Sequence, residues 1–177
     1  MPMRDGSKWD PVRGASRITR LSVDVSKKTP KDYGIETLYP NHLGALPRQD
    51  DRYNTMPYKI GFLPCPDPDP KDPAKRPSSC WARMDHATRK TQLFRAPEGA
   101  QLAEACFAPR SKTAPEGSGY LMGVANYASQ GGRSDLIILD AEHLDQGPVA
   151  TVKLPTRAVG QIHGWWVPSW QLPPKKA

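Results

Sequence analysis

Asp135-Leu-Ile-Ile-Leu-Asp140, Gly147-Pro-Val-Ala-Thr-Val-Lys-Leu-Pro155 and Gln161-Ile-His-Gly-Trp-Trp-Val-Pro168 follow one another near the C-terminal end of the chain. The first is a short apolar run bounded by carboxylates. The second is rich in β-branched side chains and bounded by proline. Short runs of this kind, punctuated by turn formers, read as strands rather than helices. The third reads as a further short strand, with His163 between Ile162 and Gly164. A histidine in that setting is either packed and hydrogen-bonded or a metal ligand.

The same pattern recurs upstream. Ile18, Leu21, Val23 and Val25 alternate with polar residues and predict a strand with one buried face and a bulge near Arg20. Further strands are predicted over 35–39, 56–63, 80–84, 91–95, 104–108, 120–127, 135–140 and 149–154. Tyr58, Ile60 and Phe62 share one face, and Ser129 to Gly132 forms a hairpin turn. Residues 142–144 predict at most one helical turn. Residues 1–14 and 26–32 read as polar connections.

Pro64 to Pro77 holds six prolines in fourteen residues. Proline cannot donate to a sheet ladder, so 64–77 is predicted to be an extended surface loop. With 20 prolines and 14 glycines in 177 residues, the chain reads as one all-β domain of short strands. Their regular spacing allows a sandwich, a barrel or a propeller; repeated hairpins favour the propeller.

The net charge is +7, but the basic residues are scattered and no basic stripe with interleaved aromatics occurs. This argues against a nucleic-acid partner and leaves room for peripheral attraction to an anionic membrane surface. No apolar run is long enough for a transmembrane segment. The N-terminal residues lack the apolar core of a secretory signal. Cys65, Cys80 and Cys106 have no metal-ligand spacing and read as isolated, buried, reduced thiols of a cytoplasmic protein.

Three segments carry a family resemblance. Leu46-Pro-Arg-Gln-Asp-Asp-Arg-Tyr53, followed by Pro57-Tyr-Lys-Ile-Gly-Phe62, is similar to a Phe-Pro-Arg-Ile-Asp-Asp-Arg-Tyr … Tyr-Arg-Tyr-Gly stretch. Ala103-Glu-Ala-Cys-Phe-Ala-Pro-Arg110, with Glu116-Gly-Ser-Gly-Tyr120, is similar to a Glu-Pro-Val-Phe-Val-Pro-Arg motif and its acidic turn. The C-terminal run ends in a matching His-Gly-x-Trp/Phe. In this order, over about Asp10 to Pro168, the segments resemble the carotenoid cleavage oxygenases, most closely their lignostilbene dioxygenase branch.

The resemblance implies a seven-bladed β-propeller with Fe(II) on its axis, held by four histidines that are mostly supported by glutamates. It implies addition of O2 across a conjugated C=C bond of a hydrophobic small molecule, giving two carbonyl products. Residues 1–177 would be a partial propeller domain, the C-terminal two to three blades, with 169–177 as a tail. His163 aligns with the last iron ligand; the alternative is a buried, hydrogen-bonded histidine. Gly164 then suits close backbone approach beside a ligand strand. Glu104 aligns with a glutamate that accepts the Nδ1–H of a ligand histidine; the alternative is an exposed carboxylate at a strand end.

A second such glutamate should precede Leu46, and Ala45 stands there instead. His42, His86 and His143 match no ligand and are expected to be solvated. Arg48, Asp50, Asp51 and Arg52 read as an ion-pair network between blades. Trp165, Trp166 and Trp170 are expected to close or cap the propeller core rather than line a substrate tunnel. No catalytic residue beyond the metal site is expected. Two functions follow: an iron-dependent oxygenase of carotenoids, apocarotenoids or stilbenes, or a truncated, catalytically inactive propeller fragment or interaction module that lacks the other three ligands.

Overall fold

The computed structural model of the chain describes residues 16–26, 33–68, 79–159 and 162–174. The polar connections at 1–14 and 27–32, the loop from 69 to 77 and the last three tail residues lie outside them. The described residues form ten strands: β1 (Thr19–Val23), β2 (Tyr33–Thr37), β3 (Arg48–Gln49), β4 (Ile60–Cys65), β5 (Cys80–Asp85), β6 (Thr91–Arg95), β7 (Gln101–Pro109), β8 (Gly119–Tyr127), β9 (Arg133–Asp140) and β10 (Pro148–Lys153). Among the described residues the only helical pieces are short 3-10 turns at Asp51–Tyr53, Leu144–Gln146 and Ser169–Gln171. No helix among the described residues is long and apolar enough to cross a membrane.

The strands form three antiparallel sheets, in the orders β1-β2, β3-β4-β5-β6 and β10-β9-β8-β7. Each four-stranded sheet is a meander of sequence neighbours. These are the small repeated sheets expected of a propeller. The two meanders pack face to face: Ile60, Phe62, Trp81 and Phe94 of the first meet Leu102, Phe107, Leu121, Ile137 and Leu139 of the second. Phe62 and Phe107 stack with ring centroids 5.4 Å apart. The opposite face of the first meander buries Tyr39, Leu63, Cys65, Cys80, Ala82 and Met84. This sheet is therefore covered on both sides, which explains why β4 is apolar at successive positions rather than alternating.

Arg52 fastens one meander to the other. It grips Asp50, which is 1% exposed, through Nε and Nη2, and donates to the carbonyls of Ser111, Lys112, Ala114 and Pro115 between β7 and β8. From the same loop, the Glu116 carboxylate accepts the backbone N–H groups of Lys59 and Ile60. The ion-pair network expected of this charge cluster thus joins two sheets.

Several expectations are corrected. The 64–77 loop starts later, because Pro64 and Cys65 belong to β4 and pair with Trp81 and Cys80. Proline is tolerated there because β3 pairs with β4 only at Gly61 and Phe62, leaving Pro64 without a ladder partner on that side. Cys65 and Cys80 are buried neighbours rather than isolated thiols, and burial, with Cys80 and Asp67 adding, pushes the Cys65 thiol up to about 12. Cys106 is half-buried.

The β1-β2 hairpin keeps register throughout, without a bulge at Arg20, and buries neither face: Leu21, Val23 and Ile35 are exposed. Beside the hairpin, Ile18 and Leu38 pack on the neighbouring core, and Tyr39 belongs to it.

Candidate metal centre

The site grows from an irregularity in β7. Leu102 pairs with Ala125 and Ala105 with Gly123, so a step of three residues on β7 meets a step of two on β8. This is a β-bulge at Ala103 and Glu104, the device by which a strand re-aims a side chain. The Trp81 indole N–H donates to the displaced Ala103 carbonyl at 2.9 Å, satisfying an acceptor that the bulge removes from the ladder. The Glu104 side chain is left 3% exposed.

Three groups converge on that carboxylate. His163 Nδ1 lies 3.3 Å from Oε1. The Gly164 backbone N–H donates to Oε2 at 2.9 Å. Arg48 Nη2 donates to Oε2 at 3.1 Å and also to the Gly164 carbonyl. Burial raises the Glu104 carboxyl's pKa, but the Gly164 amide, Arg48 and His163 outweigh it and hold it below the ordinary glutamate range. An ionised Glu104 accepts Nδ1–H from His163. In the neutral ring that tautomer leaves the lone pair on Nε2, on a side chain that is 69% exposed. An imidazole held this way is suited to be one ligand of a metal.

The structure brings Glu104 and His163 together: the acid is buried on β7, and the histidine is hydrogen-bonded to it yet largely exposed. The expected strand around His163 is absent: residues 162–168 have no regular secondary structure. A Cβ built on Gly164 would meet nothing within 4 Å, so close packing does not require that glycine. Its peptide is used instead through its N–H and C=O.

Ala45 is exposed and supplies no carboxylate. The contact that sequence reasoning missed is that of Arg48, which reaches from the expected charge cluster to Glu104. The bulge was also missed, although Leu102 and Phe107 signal it. They share one core yet lie an odd number of residues apart, which a regular two-residue period cannot give.

The other histidines divide. His143 is exposed, as expected. His42 and His86 are half-buried rather than solvated, because both pack on the buried Tyr39 ring. His86 Nδ1 lies 3.0 Å from the Tyr39 hydroxyl. Burial lowers the pKa of both. Trp165, Trp166 and Trp170 are 71%, 41% and 41% exposed, so they close no core among the described residues. No group of three or more His, Cys, Asp or Glu side chains that could hold a metal occurs among the described residues. The donor set fits one corner of a metal site and not a whole one.

Residues 2–168 match the family described as retinal pigment epithelial membrane protein. An isoeugenol monooxygenase of Pseudomonas nitroreducens is 31% identical over 172 residues, covering 94% of this chain and 35% of that protein. Lignostilbene-alpha,beta-dioxygenase isozyme III of Sphingomonas paucimobilis is 30% identical over 179 residues, covering 95% of this chain and 35% of its own length. The crystal structure of a Pseudomonas brassicacearum lignostilbene dioxygenase superposes with a TM-score of 0.81 at 28% identity, over 95% of this chain and 36% of that one. The chain spans about a third of the length of these relatives. By its motifs, its sheets and this match across nearly its whole length, the chain belongs to the retinal pigment epithelial membrane protein family, that of the carotenoid cleavage oxygenases.

Proposed function

We propose that the chain supplies one ligand corner of a non-haem Fe(II) centre in a cytoplasmic oxygenase. That oxygenase cleaves a conjugated C=C bond of a carotenoid, apocarotenoid or stilbene. One O2 is consumed, one oxygen atom goes to each carbon of the broken bond, and two carbonyl products leave. The observation that carries the reading is the Glu104–His163 contact at 3.3 Å, with Nε2 left as donor. The family match and the oxygenase names of the relatives support the reaction class.

His163 would hold the metal, and Glu104 would hold His163. Fe(II), when bound, would supply the binding and reduction of O2. Neutral imidazole donors leave the metal cationic. Glu104 fixes the tautomer so that Nδ1 carries the proton and Nε2 the lone pair. The remaining ligands belong to histidines outside this chain, since His42 and His86 are engaged at Tyr39.

A second reading is favoured by one observation. The described residues contain no complete ligand group. On its own, the chain would then be a non-catalytic propeller portion. Joining it to the N-terminal two-thirds of a relative decides between the two. His163→Ala in the joined protein is expected to lose bound iron and activity. Glu104→Ala is expected to lower metal affinity by about 10- to 100-fold. Stoichiometric iron in His163→Ala would overturn the oxygenase reading.

A further inference from the structure

The segment that carries His163 has little apolar packing to hold it. Ile162, Trp165, Trp166 and Val167 are all exposed, and 162–168 joins no strand. Pro168 at its end is buried, but around His163 itself the contacts that fix it are polar. The Gly164 N–H is taken by Glu104 Oε2, and the Gly164 C=O is taken by Arg48 Nη2. The same Arg48 nitrogen also donates to Glu104 Oε2. Two hydrogens on one planar nitrogen therefore link a carboxylate and a carbonyl, while the carboxylate returns to the amide of that carbonyl's own residue. The three groups form a closed ring around one glycine.

From this ring we infer that Arg48 is a positioning residue: it clamps the Gly164 peptide onto Glu104 and so sets where His163 presents its Nε2. Arg48 comes from β3 in the first meander, Glu104 from β7 in the second, and Gly164 from the C-terminal segment. The clamp therefore joins three separate parts of the chain. A guanidinium suits the task because its N–H groups lie in one plane at fixed angles, whereas an ammonium offers a point charge. Arg48 also balances the charge of a carboxylate that is 3% exposed, at 23% exposure of its own side chain. Gly164 matters here for its freely approachable peptide rather than for missing bulk.

The catalytic meaning of the clamp rests on His163 being a metal ligand, but the clamp is tested without metal. Amide hydrogen exchange and imidazole 15N NMR are measured on the whole 177-residue chain. In Arg48→Met, the Gly164 amide is expected to exchange roughly 10- to 100-fold faster, the loss of a charge-assisted contact. The amides of β7 and β8 keep their protection, and the His163 Nδ1 resonance moves toward that of a free histidine. Arg48→Lys restores charge without the fork and returns part of the protection.

Unchanged Gly164 exchange and an unchanged His163 resonance in Arg48→Met would overturn the inference. If Arg48→Met weakens every amide alike, Arg48→Lys is read in its place. Gly164 exchanging faster than β7 then supports the clamp, and Gly164 tracking β7 overturns it. An intact clamp together with iron retained by His163→Ala in the joined protein would sink the oxygenase reading alone.

Discussion

Adding a single methyl group at Gly123 tests how the inter-sheet core supports the bulge under Glu104. Gly123 lies on β8 beneath Trp81. A Cβ there would stand 2.6 Å from Trp81 Cζ2, 3.0 Å from Cη2 and 2.9 Å from the Glu104 carbonyl oxygen. Trp81 cannot swing aside. It is 0% exposed, its N–H is fixed on the Ala103 carbonyl, and its ring lies 5.7 Å from that of Phe94. Overpacking of this kind costs about 1–3 kcal/mol, and the upper end is expected because ring and backbone both obstruct.

Trp81→Phe removes the obstructing benzo edge but leaves the Ala103 carbonyl without its donor, a loss of about 1–3 kcal/mol. In the double variant the new methyl occupies space the indole has vacated, while the clash with the Glu104 carbonyl remains. The double variant should therefore be more stable than the summed single losses imply, by about 1–2 kcal/mol. That lies within the range measured for residues in contact. Urea unfolding followed by far-ultraviolet circular dichroism, with a shared slope across the four proteins, gives the cycle. Additivity to within about 0.5 kcal/mol would refute the argument, as would wild-type stability for Gly123→Ala alone.

Arg52→Ala leaves the Asp50 carboxylate at 1% exposure without its guanidinium and frees four loop carbonyls. Breaking such a pair costs about 3–5 kcal/mol when fully buried, and the lower end is expected because the Arg52 side chain is 18% exposed. A loss under about 1 kcal/mol in urea unfolding would mean that the pair behaves as an exposed one. His86 gives a pH signature. Burial, with Arg20 and Arg89 adding, lowers its folded pKa, so the unfolded chain binds the proton more readily. Stability should be full above the ordinary histidine value of about 6.5 and fall as pH drops through it toward the folded value. His86→Gln should flatten that slope in part, because His42 shifts in the same direction. An unaltered slope would show that His86 is not the titrating group.

The all-β class and the hairpins β5-β6 and β8-β9 were legible because each rests on local pattern, and the motifs singled out Glu104 and His163 separately, although not their contact with each other. Residues 120–127 form a mostly apolar run that ends at a glycine-rich turn, and the strand occupies Gly119–Tyr127. Contacts made across sheets were not legible. Nothing in the local sequence of His86 announces that Tyr39, far upstream, removes it from water. The apolar alternation of Leu21, Val23 and Ile35 does predict strands correctly, but alternation cannot say whether a partner covers the face. Here it lies exposed. The proline at 64 misled for a similar reason: its tolerance depends on how far β3 extends along β4, which is a property of the neighbour.

The arrangement at Glu104 explains how a short C-terminal segment with few packed side chains can hold the His163 imidazole in place. A loop held by apolar contacts alone would need several side chains inserted into a core, and residues 162–167 insert none at full burial. Charge-assisted hydrogen bonds to a carboxylate of low exposure are stronger per contact and fix direction as well as distance. That solution requires the acid to be held rigidly, and the bulge, the Trp81 donor and the tight surface at Gly123 supply the rigidity. It also requires an opposite charge, since an ionised carboxylate at 3% exposure would otherwise favour protonation and lose its hold on His163 Nδ1–H. Arg48 provides that charge from the neighbouring sheet, so the seam between the sheets and the candidate metal corner depend on the same side chains.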